Sequence, residues 1–202
     1  MGAAKAQDAK EQAEALGRDE KALEELVSVL SEGARRDRQQ AAAIIAQAAK
    51  ANPEALVPHA NALVDALNRP EAQTRWEVLD ALTELVPYES RTCDKGIAGA
   101  ETALFDEDSG PVRLAAMRFL CKLGATTENR SEKVWPLIDE GIQCYHGDLE
   151  FQDMLLAVID FSAGKLSPEV KKELGERMSF DASNGKGALK KRASAIVENV
   201  SK

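Results

Sequence analysis

The fold of this chain is decided by the stretch DSGPVRLAAMRFLCKLG, which runs from Asp108 to Gly124. Gly110 and Pro111 oppose the continuation of any preceding helix, so a turn is expected there. Large apolar residues then follow at a spacing of three: Met117, Leu120 and Leu123. This spacing is typical of a helix that is buried along one side.

The same pattern recurs with a period of 37 to 38 residues, which is the signature of a helical repeat. The shift aligns Arg38, Arg75, Arg113, Phe151 and Leu189. Four residues beyond them lie Ala42, Leu79, Met117, Leu155 and Ala193. Seven residues beyond lie Ile45, Leu82, Leu120, Val158 and Ile196. Ten residues beyond lie Ala48, Leu85, Leu123, Phe161 and Asn199, so this column is apolar until the last repeat.

Each of these second helices is preceded by a first helix. The predicted first helices span roughly 20–31, 53–68, 90–105, 131–145 and 167–180. Gly and Pro interrupt the helices at Gly33, Arg69–Pro70, Ser109–Pro111, Gly147 and Asn184–Gly185.

The composition also favours packed helices. Of the 202 residues 44% are hydrophobic, which excludes a wholly disordered chain, and only 4% are aromatic, which favours helices over sheets. The net charge of −8 disfavours DNA and anionic membranes as partners, because phosphate backbones are bound by Lys and Arg. Apolar stretches such as 154–159 are too short to span a bilayer, and the N-terminus lacks an apolar signal core, so we expect a cytoplasmic protein.

Neither a metal site nor a cofactor is expected. Cys93, Cys121 and Cys144 form no CxxC pair, and we expect them to be buried as small apolar residues. His59 and His146 fall in different repeats, without a second ligand at metal-binding spacing.

The stretch 108–124 resembles the second helix of a HEAT repeat, in its Val-Arg start and its closing Leu-Gly. Weaker likenesses recur at RQQAAAIIAQAA, RWEVLDALTELV and FQDMLLAVIDFS. The resemblance implies an all-α fold, a right-handed α-solenoid of about five HEAT-like helical hairpins with atypical capping ends. One repeat domain is expected over 20–202, with repeats at about 20–51, 52–88, 89–126, 127–164 and 165–202. Residues 1–19, which are Ala-rich and charged, are expected to form a helix or a flexible cap.

Second helices line the concave side in solenoids of this family, so their solvent-facing positions form the expected binding surface. These positions lie two, five and nine residues beyond the aligned column, on one helical face. They are Gln40, Ala43, Gln47, Glu77, Asp80, Glu84, Ala115, Arg118, Lys122, Asp153, Leu156 and Asp160. The predicted partner-binding residues are Trp76, Glu77, Asp80, Glu84, Arg118, Lys122, Asp153 and Asp160. The alternative is that this is an ordinary solvated helix face.

The sequence therefore predicts an interaction scaffold rather than an enzyme. The acidic stripe beside Trp76 favours a protein or peptide partner of basic character, and the chain is expected to be a monomer or weak oligomer. Arg38, Arg75 and Arg113 are interpreted as a structural ladder in which each Arg pairs with a carboxylate of the neighbouring repeat. Asp37 and Asp108 are plausible local partners for this ladder.

Two alternative functions stay open. The spacing of Trp76 and Asp80, with Arg113 in the next repeat, is similar to the HEAT-like alkylpurine DNA glycosylases. That resemblance implies that Asp80 would stabilise charge on the sugar, while Trp76 and Arg113 would hold the lesion and backbone. Glu77 and Glu84 crowd the same face, however, and the basic rim that faces DNA is missing. The other alternative is weak nucleic-acid binding through a basic C-terminal group: Lys186, Lys190, Lys191 and Arg192.

Overall fold

The computed structural model describes residues 19–202, and the prediction for 1–19 lies outside them except for Asp19. This part of the chain contains helices and no strand. The α-helices are α1 Glu20–Glu32, α2 Arg35–Ala51, α3 Ala60–Ala66, α4 Ala72–Cys93, α5 Ile97–Leu104, α6 Gly110–Gly124, α7 Glu128–Cys144, α8 Phe151–Ser162, α9 Pro168–Asn184 and α10 Gly187–Val200. Two 3₁₀ helices span Pro53–His59 and Asp94–Gly96.

The described residues follow the predicted order of first and second helices. The second helices are α2, α4, α6, α8 and α10, and each follows a first helical segment. The all-α fold of about five helical pairs is therefore confirmed. The chain divides into two compact units between Ala100 and Glu101. In the first unit α2 packs against α1 and α4, and in the second unit α8 packs against α6 and α10.

Side-chain caps explain where several helices begin. The Asp19 carboxylate accepts a hydrogen bond from the Ala22 N–H at 3.1 Å at the start of α1. The Thr127 hydroxyl accepts one from the Arg130 N–H at 3.2 Å, which starts α7 at Glu128, ahead of the predicted residue 131. These caps satisfy N–H groups that have no partner within the helix.

Two predicted first helices are interrupted by non-α backbone. The predicted helix 53–68 is a 3₁₀ helix up to His59 and an α-helix from Ala60, because the Pro58 nitrogen cannot donate a helical hydrogen bond. The predicted helix 90–105 begins within the last turn of α4, which runs through Pro87 and kinks at Glu89, where φ is −141° and ψ is 52°. It continues as the 3₁₀ helix Asp94–Gly96 and then as α5.

The three apolar columns of the repeat are buried as predicted. Every residue of the columns that contain Ala42 and Ile45 is fully buried in all five second helices. The third column is fully buried from Ala48 to Phe161. Its last member, Asn199, donates its amide N–H to the Ser162 hydroxyl at 3.0 Å, so a hydrogen bond replaces apolar packing in the final repeat.

Polar contacts join residues about one period apart. The Trp135 indole N–H donates to the Glu173 carboxylate, 38 residues on. The Ser167 N–H donates to the Ser131 hydroxyl at 3.1 Å, over 36 residues. The first helices of successive repeats are therefore held in register by hydrogen bonds as well as by their apolar sides.

The Arg ladder is confirmed at two positions, with partners other than the expected Asp37 and Asp108. The Arg38 guanidinium pairs with Glu71 and donates to the Gly33 carbonyl at 2.7 Å. Arg113 pairs with Glu150 and donates to the Asp106 carbonyl at 2.9 Å. Both carboxylates come from the neighbouring repeat and lie close to the start of its second helix. The long Arg side chain reaches across to the next repeat, so its guanidinium pairs with Glu71 or Glu150 rather than with Asp37 or Asp108.

Leu82→Ala is expected to lower the free energy of unfolding by about 3 kcal/mol, because it leaves a cavity in a fully buried column. The matched control is Leu149→Ala, since the Leu149 side chain is 100% exposed, and its effect should stay within about 0.5 kcal/mol. Urea denaturation followed by circular dichroism measures both. Equal losses in the two variants would contradict the assignment of Leu82 to the core.

Glu71→Gln is expected to cost about 2 kcal/mol at neutral pH, because it removes a charged hydrogen-bond partner of Arg38 from a buried position. That hydrogen bond lowers the pKa of Glu71 below its ordinary value of 4.5, although burial opposes it. The stabilisation is thus complete above the unfolded-state pKa and is lost as pH falls through the folded-state pKa.

The measurement is urea denaturation of wild type and Glu71→Gln from neutral pH down to about pH 3. The difference in unfolding free energy should shrink at the acidic end. The control is Glu32→Gln, which changes an exposed carboxylate. A difference that is constant across this pH range would show that ionised Glu71 does not stabilise the fold.

Candidate functional site

The predicted binding residues of the first unit lie on α4, between its second and fourth turns. The acidic face consists of Glu77, Asp80 and Glu84, and Trp76 lies beside it. All four side chains are half-buried, neither in the core nor fully solvated. They share one side of the helix because residues three, four and seven apart face the same way.

One cation of the first unit approaches this acidic face. Lys50, exposed in the last turn of α2, has its Nζ 4.0 Å from the Asp80 carboxylate. Burial raises the pKa of Glu77, and the neighbouring charge of Asp80 raises it further. A hydrogen bond with the Trp76 side chain and the charge of Lys50 oppose this rise. The net effect of these surroundings is that the pKa of Glu77 lies above its ordinary value.

Glu77→Gln is expected to raise the free energy of unfolding at neutral pH by roughly 0.5 kcal/mol, because it removes a charge that burial and Asp80 disfavour, although solvent screening limits the gain. The folded protein holds the Glu77 proton to a higher pH than the unfolded chain does. The wild type therefore loses stability as pH rises from 4.5 through the raised pKa, and the variant does not.

Thermal unfolding of wild type and Glu77→Gln, repeated across this pH range, measures the effect. Glu24→Gln, which removes an exposed charge from α1, is the control. A Glu77→Gln protein that is less stable than wild type at neutral pH would show that Glu77 gains more from Lys50 than it loses by burial.

The predicted residues of the second unit lie on α6 and α8. Arg118 and Lys122 are exposed on α6, and Asp153 and Asp160 are exposed on α8. Leu156, which is 46% exposed, lies between the two aspartates in sequence. The exposed face of α6 is thus basic, and that of α8 is acidic with Leu156 between its two aspartates.

Two expectations of exposure or burial are wrong. Ala115, expected on the solvent-facing side of α6, is buried. Cys144, expected in the core, is exposed at the last residue of α7, whereas Cys93 and Cys121 are buried. Burial at a helix end depends on which elements cover it, which the repeat period does not specify.

The residues of the two alternative functions have structural contacts. Arg113, assigned a contact with the DNA backbone by the glycosylase resemblance, is held by Glu150 and also lies over the Tyr145 ring at 5.0 Å. In the basic C-terminal group, Lys190 donates to the Ser183 carbonyl at 3.0 Å, and Arg192 donates to the Gln152 side chain at 2.6 Å.

Among the described residues, no group of three or more His, Cys, Asp or Glu side chains is placed to hold a metal ion. Over the same range, none of the helices combines the length and apolar character needed to cross a bilayer.

The sequence analysis missed a cleft in the second unit, lined by residues of α7 and α9: Trp135, Asp139, Glu173, Glu176, Arg177 and Phe180. Trp135 is buried on α7 and donates its indole N–H to the Glu173 carboxylate of α9, so it packs between two repeats. Phe180 is the last residue of the predicted helix 167–180, and α9 continues beyond it to Asn184. In the sequence, the aromatic residues of this cleft, Trp135 and Phe180, stand outside the apolar columns, and this could have indicated a surface feature.

Comparison with known proteins identifies the fold. No protein-family model and no curated protein matches this chain. Among solved structures it is similar to a designed armadillo repeat protein in complex with the peptide (KR)4, at a TM-score of 0.76 and 18% identity over 95% of this chain and 86% of that one. An engineered protein has a TM-score of 0.75 at 16% identity, over 96% of this chain and 87% of that one.

Computationally designed armadillo repeat proteins for modular peptide recognition are also similar, with a TM-score of 0.70 and 19% identity over 88% of this chain and 82% of that chain. At these identities the likeness concerns the fold. The chain thus has the fold of an α-helical repeat solenoid, similar to that of designed armadillo repeat proteins.

Proposed function

We propose that this chain is a cytoplasmic scaffold that binds a protein segment or peptide of basic character, and that its role is binding rather than catalysis. The observation that carries the proposal is the acidic face of α4, where Glu77, Asp80 and Glu84 lie together beside Trp76. Two designed proteins with the same fold support it, since one is in complex with the peptide (KR)4 and the other is designed for modular peptide recognition.

The chemistry of the acidic face suits a Lys or Arg side chain. Carboxylates form strong charge-assisted hydrogen bonds with these cations, and an indole ring attracts a cation through its π-face. A bound cation near Glu77 would offset both its burial and the repulsion from Asp80. Part of the binding energy would then come from stabilising the ionised form of Glu77, which burial and the charge of Asp80 disfavour in the free protein.

The faces of the second unit extend the proposal. Arg118 and Lys122 on α6 suit acidic residues of the partner, and Asp153 and Asp160 on α8 suit basic ones. Leu156 offers an apolar contact between them. A segment that carries both signs of charge would match this unit better than a purely basic one, because like charges suppress wrong partners.

The peptide (KR)4 is expected to bind the wild type, and the triple variant Glu77→Gln, Asp80→Asn, Glu84→Gln should bind about tenfold more weakly, because each lost ion pair removes part of the attraction. Fluorescence anisotropy of the labelled peptide measures the affinity. Binding should also strengthen as pH rises through the raised pKa of Glu77, since a cation favours the ionised carboxylate.

The control removes the same three charges from exposed positions of α1, as Glu24→Gln, Glu25→Gln, Glu32→Gln. Circular dichroism establishes that both triple variants are folded. If both bind the peptide equally, the attraction comes from the net charge of the protein and the acidic face is an ordinary solvated surface.

A further inference from the structure

The cleft of the second unit is a preformed surface on the first helices α7 and α9, separate from the second-helix faces of the proposed function. Its volume is about 590 Å³. Trp135, which is 6% exposed, donates its indole N–H to the Glu173 carboxylate across the cleft. Arg177 forms a two-point ion pair with Asp139, at 2.5 and 3.0 Å. These links between the two helices fix the cleft before any partner arrives.

Phe180 is an exposed aromatic side chain among the residues that line this cleft. It is 71% exposed, whereas Phe119, Phe151 and Phe161 are fully or almost fully buried. It lies about one turn beyond Glu176 on α9, on the same side of the helix. An exposed aromatic ring at the edge of a cleft is typical of an interaction hot spot.

The charges of the cleft indicate the sign of its occupant. Asp139, Glu173 and Glu176 contribute three carboxylates, and Arg177 contributes one guanidinium that is already paired with Asp139. The remaining negative charge disfavours nucleic acids and acidic segments and favours a cation. The exposed ring of Phe180 favours the same choice, because a ring face attracts cations and an aliphatic side chain packs against it.

We propose that this cleft binds a protein segment in which an Arg or Lys side chain is adjacent to an apolar residue. The cationic group lies between Glu173 and Glu176, and the apolar residue packs on Phe180. The cleft is a second docking site, on different helices from the acidic face of α4, and it does not depend on the function proposed for that face.

The test uses a fluorescein-labelled peptide of alternating Arg and Leu, and starts from the triple variant that lacks the α4 carboxylates. Because this starting protein lacks the acidic face of α4, any binding that it retains reports on the cleft and not on the function proposed above. Adding Phe180→Ser or Glu176→Lys to the starting protein should each weaken binding about tenfold in anisotropy titrations. Both changes are at exposed positions, so the fold is expected to be kept and circular dichroism checks it.

The matched control is Glu140→Lys, which reverses an exposed charge on α7 outside the cleft, and it should change the affinity by less than about twofold. Equal losses in Glu140→Lys and Glu176→Lys, with none in Phe180→Ser, would reduce the binding to general electrostatic attraction and overturn the proposal. So would an absence of binding to the starting protein. Sedimentation velocity supplies the last outcome: a dimer that Phe180→Ser dissociates would make a second copy of the chain the occupant instead.

Discussion

The burial of three apolar columns is the constraint on which the rest of the structure depends. One helical pair has too little apolar surface to fold alone, so it must cover its exposed apolar side with the next pair. Positions such as Leu82 and Leu120 are fully buried because neighbouring repeats close over them. Since these columns recur every 37 to 38 residues, the remaining positions of each second helix are turned outward at regular intervals.

Polar side chains fix the relative position of neighbouring repeats, because hydrogen bonds are directional whereas apolar packing is not. Arg38 and Arg113 each join a carboxylate of the neighbouring repeat to a main-chain carbonyl before their own helix. A guanidinium can satisfy both at once because it has five N–H donors in a fixed plane. The cost of burying these charges is offset by such pairing, and a single unpaired partner would be destabilising.

The core restricts the outward positions of the second helices little, so their side chains differ from one repeat to the next. On α4 these positions bring Glu77, Asp80 and Glu84 together, and burial and the charge of Asp80 raise the pKa of Glu77. On the first helices α7 and α9, the outward positions leave an aromatic cleft in which Trp135 is bonded to Glu173 and Arg177 to Asp139. Both features hold polar groups in arrangements that water alone would not favour, and both lie on surfaces that neighbouring repeats leave uncovered.

The sequence by itself determined the helical class, the period and the members of the buried columns. These follow from the local spacing of apolar residues, which is set by helix geometry and survives any detail of packing. Helix caps and prolines can also be recognised in a sequence. Pro58 and the kink at Glu89 change the local backbone from a regular α-helix, but they leave the order of the helices unchanged.

Only the tertiary structure decided which groups meet across repeats and which stay exposed. The partner of Arg38 lies 33 residues on and that of Arg113 lies 37 residues on, so a period alone does not select Glu71 or Glu150. Ala115 and Cys144 were misassigned for the same reason, since burial at a helix face or end depends on its neighbours. Helix periodicity is a local property of the chain, whereas a cleft or an ion pair requires the relative placement of two elements, and that placement is settled by packing.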